Sequence, residues 1–192
     1  RWDKFLGRFE QLAPYIGAEE LSPETVENLA RSYDTVAGNP EKAKQYYELV
    51  LEERPDDVDV ITILRRLSEA VGDYNTYTMM ELELLQRDED QEERIRRTFV
   101  LMGVLRDKVQ DSEGTVALAQ ETEELVHGNR VLIRTLADEY AADPDSYIIA
   151  RDMYTALHYE IPFDTHILRI LARLSGQLGD SERAYGFYAG LL

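Results

Sequence analysis

The chain has 192 residues, 44% of them hydrophobic, enough to bury a core. Asp and Glu number 38 against 21 Lys and Arg, a formal charge of −17, which argues against a general nucleic-acid or anionic-membrane binder, because such partners need a basic face. Cysteine is absent, so no disulfide, thiol nucleophile or zinc–cysteine site can form. The longest apolar run, Phe99 to Leu105, is too short to span a bilayer. The sequence lacks an initiator Met and stops inside an apolar-periodic stretch. It therefore reads as a piece of a longer protein, with cytoplasmic and bacterial periplasmic locations both open.

In chain order, residues 1–14 carry one stripe of Trp2, Phe5, Leu6, Phe9 and Leu12, with Pro14 after it. Ser22 followed by Pro23 signals a helix start near Glu24. Gly38 breaks that helix. Pro40 then suits the first turn of the next, where its missing N–H is harmless. Ala43, Tyr46, Tyr47, Val50 and Leu51 form the buried stripe there, and Pro55 stops the run. Val60, Ile61, Ile63, Leu64, Leu67 and Val71 repeat the helical spacing, and Gly72 ends it in the left-handed conformation. The acidic run RDEDQEER, Arg87 to Arg94, reads as a solvated helix start favoured by the helix dipole. It lacks the spacing and the central Gly of a calcium loop. RVLIRTL, continued by Ala137 and Tyr140, fits a helix better than a strand. No β-alternation emerges.

The breaks recur. Gly38 and Gly72 are 34 residues apart, and Gly72 and Gly179 are 107 apart, close to three further units of about 34 to 36. A shift of 107 carries Ala43, Tyr47, Val50 and Pro55 onto Ala150, Tyr154, Leu157 and Pro162. It also carries Val60, Ile61, Ile63, Leu64, Leu67 and Val71 onto apolar residues at every position.

These residues resemble the tetratricopeptide repeat (TPR) family, whose unit is a helix–turn–helix of about 34 residues. Leu29, Ala30, Tyr33, Gly38, Ala43, Tyr47 and Pro55 carry the pattern in one unit. Leu64, Gly72, Asp73 and Tyr74 carry it in the next, and Leu171, Gly179, Asp180, Ala184 and Tyr188 in the last. The resemblance implies an all-α, right-handed superhelical solenoid occupying 1–192. Residues 1–23 are then the second helix of a preceding repeat plus a connector. Repeats follow at 24–57, 58–91, 92–128 and 129–164, with a truncated one at 165–192. Three departures stand out. One extra residue lies between Tyr33 and Ala43. Tyr77 and Glu81 stand where Ala and an aromatic are usual. QDSEGT replaces the Gly-Asp-Tyr turn in 92–128.

No catalytic constellation is visible: there is no nucleophile elbow, Gly-rich phosphate loop or HExxH pair. His127, His158 and His166 do not cluster, so no metal and no cofactor is expected. The tyrosines, Tyr47, Tyr154 and Tyr188 among them, read as core packing.

The resemblance further implies that first helices line a concave groove. Thr62, Arg66 and Glu69 then face a ligand, with Arg31, Arg169 and Arg173 in register and Arg134 a neighbour. Arginine recurring there in an acidic chain points to a row reading carboxylates or other anions. The alternative is salt bridging to Glu27, Asp34, Glu69 or Asp138. The Lys and Asn set of the family's chaperone-tail clamp is not found.

The expected function is a non-catalytic interaction scaffold holding a peptide or domain of a partner protein in its groove. The alternative, by fold analogy and charge, is a periplasmic scaffold of bacterial envelope assembly or exopolysaccharide export, its acidic surface guiding a cationic polymer or recruiting a modifying enzyme. No nucleic-acid partner or membrane insertion is expected. Apolar ends at Trp2, Phe5, Phe9, Phe187, Leu191 and Leu192 would allow copies to associate as a homo-oligomer.

Overall fold

The computed structural model describes residues 2–12 and 21–191. Pro14 and Leu192 lie outside the described residues, as do the side chains of Trp2, Phe5 and Leu12. Eleven α-helices are described, and no strand is found among the described residues. They are α1 (Trp2–Leu12), α2 (Pro23–Ser32), α3 (Pro40–Glu53), α4 (Val58–Val71), α5 (Tyr74–Arg87), α6 (Gln91–Val104), α7 (Ser112–Thr122), α8 (Arg130–Tyr140), α9 (Tyr147–Glu160), α10 (Thr165–Gln177) and α11 (Ser181–Ala189). From α2 onward they pair as consecutive hairpins, α2 with α3 through α10 with α11.

The starts follow from capping chemistry. Ser22, Asn39, Asp57, Asp73, Asp90, Asp111, Asn129, Asp164 and Asp180 each accept a hydrogen bond from an N–H in the first turn of the following helix. Each such cap is worth about 1 kcal/mol. The acidic run near Arg87 is therefore a helix entry, with Asp90 accepting from the N–H groups of Glu92 and Glu93. Asp73 likewise caps α5.

Two kinds of turn join four of the five helix pairs, and a 3-10 turn at Pro144–Ser146 joins α8 to α9. At Gly72 (φ 76°) and Gly179 (φ 77°) the chain reverses tightly. The N–H of Asp73 donates to the Ser68 carbonyl at 2.9 Å, and that of Asp180 to the Ser175 carbonyl at 2.8 Å. After α2 and α6 a π-helical turn intervenes, Tyr33–Ala37 and Leu105–Val109. The closing bonds there span one residue more, Asn39 N–H to the Tyr33 carbonyl at 2.9 Å and Asp111 N–H to the Leu105 carbonyl at 3.0 Å. The extra residue of the first unit is absorbed by this wider turn. The same turn closes the α6–α7 hairpin, which the sequence reading left without a signature. Gln110 (φ 61°) takes the left-handed place that Gly38 (φ 58°) holds. A side chain there costs energy, so the missing Gly hid a turn that is present.

The chain divides into two compact units, residues 1–88 and 89–192. In the first, Leu6, Val26, Leu29, Ala30, Tyr47, Val60, Ile61 and Leu64 share one core. Tyr33 stacks on Tyr46 at 5.5 Å, and Phe9 meets Tyr46 edge-on at 6.2 Å. Tyr77 and Glu81, the two departures in the second hairpin, are both buried. Glu81 is neutralised by Arg65 of α4 at 3.3 Å. In the second unit, Leu101, Met102, Leu136, Tyr140, Tyr154, Ile167 and Leu171 are fully enclosed. Tyr47 and Tyr154 are core residues as expected, but Tyr188 is not: it is 53% exposed.

Candidate functional site

The first helices of the hairpins carry the candidate residues, and the two units treat them differently. In residues 1–88, Arg31 pairs with Glu27 one turn back at 3.1 Å, and Arg66 of α4 reaches Asp34 at 2.6 Å. Glu27 also accepts from Arg54 at 2.9 Å. Thr62 is exposed, its hydroxyl donating to the Val58 carbonyl at 2.8 Å, and Glu69 is exposed beyond it. The arginines here are engaged by the chain's own carboxylates, the alternative that the sequence offered for them.

In residues 89–192, Arg134 of α8 lies 3.6 Å from Asp164, the cap of α10. Arg169 and Arg173 are exposed on α10 and have no ion-pair partner among the described residues. Four residues apart, they share one helix face. The Tyr154 hydroxyl, projecting from α9, donates to the Asp138 carboxylate on α8. Burial first, and then that carboxylate, push the Tyr154 phenol well above its ordinary range, while Arg134 and Arg173 act in the opposite direction. The sequence named Asp138 only as a salt-bridge partner. Its bond to Tyr154 needed the packing of α9 on α8.

Helix α8 also contributes to a groove of about 730 Å³, lined by Ile95 and Phe99 of α6, Leu125, and Leu132 and Thr135 of α8. Gln91, Glu92, Arg96 and Asn129 complete its lining. Helix α8 thus turns Leu132 and Thr135 toward the groove, Arg134 toward the start of α10 and Asp138 toward Tyr154 of α9. The sequence reading missed the groove, although the apolar run from Phe99 was its one visible trace. The first unit has a smaller hollow of about 520 Å³, with an apolar floor that includes Leu21, Val26 and Leu49. Its rim is acidic, with Glu24, Glu27, Glu52 and Glu53 against Arg54.

Among the described residues no group of three or more His, Asp or Glu converges as metal ligands would. None of the described helices is long and apolar enough to cross a membrane. His127 and His166 are exposed. His158 meets Phe187 edge-on at 6.0 Å.

No family model matches the sequence, and no curated protein matches it. Solved structures do. MamA AMB-1 superposes with a TM-score of 0.51 at 19% identity, over 88% of this chain and 89% of that one. YrrB, described as a TPR protein with an unusual peptide-binding site, superposes with a TM-score of 0.51 at 14% identity, over 100% of this chain and 92% of that one. The chain has the TPR fold. At these identities the likeness concerns the fold alone, and stacked TPR hairpins offer a surface for binding.

Proposed function

We propose that the chain is a non-catalytic scaffold that binds a partner protein through the first-helix face of residues 89–192. The segment it takes places an apolar side chain in the α6–α8 groove and one or more carboxylates on α10. The observation that carries this is the pair Arg169 and Arg173, exposed and without acidic partners among the described residues of a chain with charge −17. An exposed arginine that no carboxylate of its own chain engages offers its guanidinium fork to a carboxylate supplied from outside. The export-scaffold alternative finds no support among the structural neighbours.

A displayed library of random peptides tests the reading. Enriched sequences are expected to combine an aliphatic or aromatic residue with flanking Asp or Glu. Their affinity is expected to fall at least tenfold in the double variant Arg169→Glu/Arg173→Glu, and to change less than threefold in Arg31→Glu/Arg66→Glu. Peptides without acidic residues, or equal loss in both double variants, refute it.

A further inference from the structure

The second helices α3, α5 and α9 run for 14 residues each, and each buries a tyrosine: Tyr47, Tyr77 and Tyr154. Helix α7 runs for 11 residues and buries none. Its enclosed side chains are Thr115, Leu118, Ala119 and Thr122. Both threonine hydroxyls turn back on their own helix. Thr115 donates to the Asp111 carbonyl at 2.7 Å and Thr122 to the Leu118 carbonyl at 2.6 Å. Such bonds join no helix to another, and they slightly loosen the helix that makes them. A helix this short is held by its packing rather than by its propensity. Here the packing offers one leucine and one alanine.

The segment around α7 has a hinge at each end. Gln110 (φ 61°) and Gly128 (φ 79°) are both left-handed, and the first bears that conformation without being glycine. After Thr122 the chain leaves the helix and runs through turns to Gly128. Among the described residues one side-chain bond leads out of this segment: the Tyr140 hydroxyl of α8 donates to Glu123 at 2.5 Å. Val126 adds one more enclosed apolar side chain. The helices beneath are firmer. Helix α7 packs on both α6 and α8, where Leu101, Met102, Leu136 and Ala137 are fully enclosed. Leu125, among the turns, lines the α6–α8 groove.

We propose that residues 111–128 form a latch that opens as a unit while α6, α8 and α9 stay folded. Opening carries Leu125 off the groove and bares the apolar side chains of α6 and α8 that α7 covers. Local opening of this kind falls on the segment with the fewest buried apolar contacts. The closed latch walls the groove, and the open latch leaves a wider apolar trough between α6 and α8. Control of partner access by this motion rests on the reading of the groove as the partner's seat, whereas the motion itself does not.

The chain has no cysteine, so one introduced thiol reports its own exposure. Ala119→Cys in α7 is compared with Ala43→Cys in α3 and Ala150→Cys in α9, all three sites being enclosed. The folded 192-residue chain is labelled with iodoacetamide, with no partner present. The thiol at position 119 is expected to react at least 100-fold faster than the other two. Leu125→Ala should speed it further, and Thr115→Val/Thr122→Val should slow it at least fivefold, neither moving the rate at position 150. Hydrogen exchange of the parent chain, which carries no thiol, is expected to show 111–128 exchanging as a block ahead of α6 and α8. Rates within threefold at all three positions overturn the proposal, as do rates at 119 and 150 that rise together. So does parent exchange in which α7 is as slow as α8. Because no partner takes part, a failed peptide selection bears on the groove reading alone.

Discussion

Arg66 and Arg173 occupy the same register position 107 residues apart, and the structure gives them opposite surroundings. Arg66 is held by Asp34 at 2.6 Å. Arg173 faces solvent beside the buried Tyr154. The hollows follow the same division: acidic carboxylates rim the one in residues 1–88, while the groove in residues 89–192 shares α8 with the arginine cluster. A repeated scaffold position is thus neutral in one unit and available in the other. What decides is whether a carboxylate stands within reach, not the arginine itself.

The interior position nine residues after the turn offers the strongest way to break the comparison. In the first unit it is held by Tyr47 in α3 and by the buried Glu81 in α5, whose charge depends on Arg65. Glu81→Ala removes the carboxylate that neutralises a partly buried guanidinium, and a loss of about 3 kcal/mol is expected in urea denaturation. In the second unit the counterpart Tyr154 is neutral. Tyr154→Phe removes one hydrogen bond to the exposed Asp138 and is expected to cost about 1 kcal/mol. Equal losses would erase the distinction between a charged and a neutral interior.

The two wide turns sharpen it at a smaller scale. Gln110→Gly relieves a left-handed side-chain conformation and is expected to raise stability by about 0.5–1 kcal/mol. Gly38→Gln imposes the same strain and is expected to lower it by about 1 kcal/mol. No atom lies within 4 Å of a Cβ built on Gly38, so backbone conformation alone is tested. Thermal denaturation of the two variants should therefore shift in opposite directions.

The smallest expected effect is in pH dependence. Burial tends to raise the Asp73 carboxyl, but hydrogen bonds from Thr76 and the Lys44 ammonium outweigh it and hold the group below the usual carboxylate range. A depressed folded value stabilises the protein above the unfolded value of about 4, and the contribution is lost as pH falls through the folded value. Between pH 5 and pH 3 the urea midpoint of the parent should fall further than that of Asp73→Asn. Parallel curves would mean that the contacts of Thr76 and Lys44 do not hold the Asp73 carboxyl below its unfolded value.

Much of the fold was legible because it rests on local rules. Ser22 and Pro23, Pro40, Gly72 and Gly179 act on their own backbone or the next turn, and the apolar stripes obey a fixed helical period. The α6–α7 turn was not legible, because Gln110 is forced into its conformation by flanking helices rather than choosing it. Of the candidate site, the arginine positions were legible from the shift of 107. The groove over Ile95, Phe99 and Leu132 was not, since it joins side chains from helices far apart in sequence.

The sequence by itself determined the helical hairpins, their period and the register of the arginines and tyrosines, because each depends on residues within a turn or two. Only the tertiary structure decided that Asp34 claims Arg66 while no carboxylate claims Arg173 among the described residues, and that the Tyr154 hydroxyl meets Asp138. Those outcomes depend on what the neighbouring helix places within a few ångströms. Charge pairing and burial act across that gap, and no local pattern encodes it.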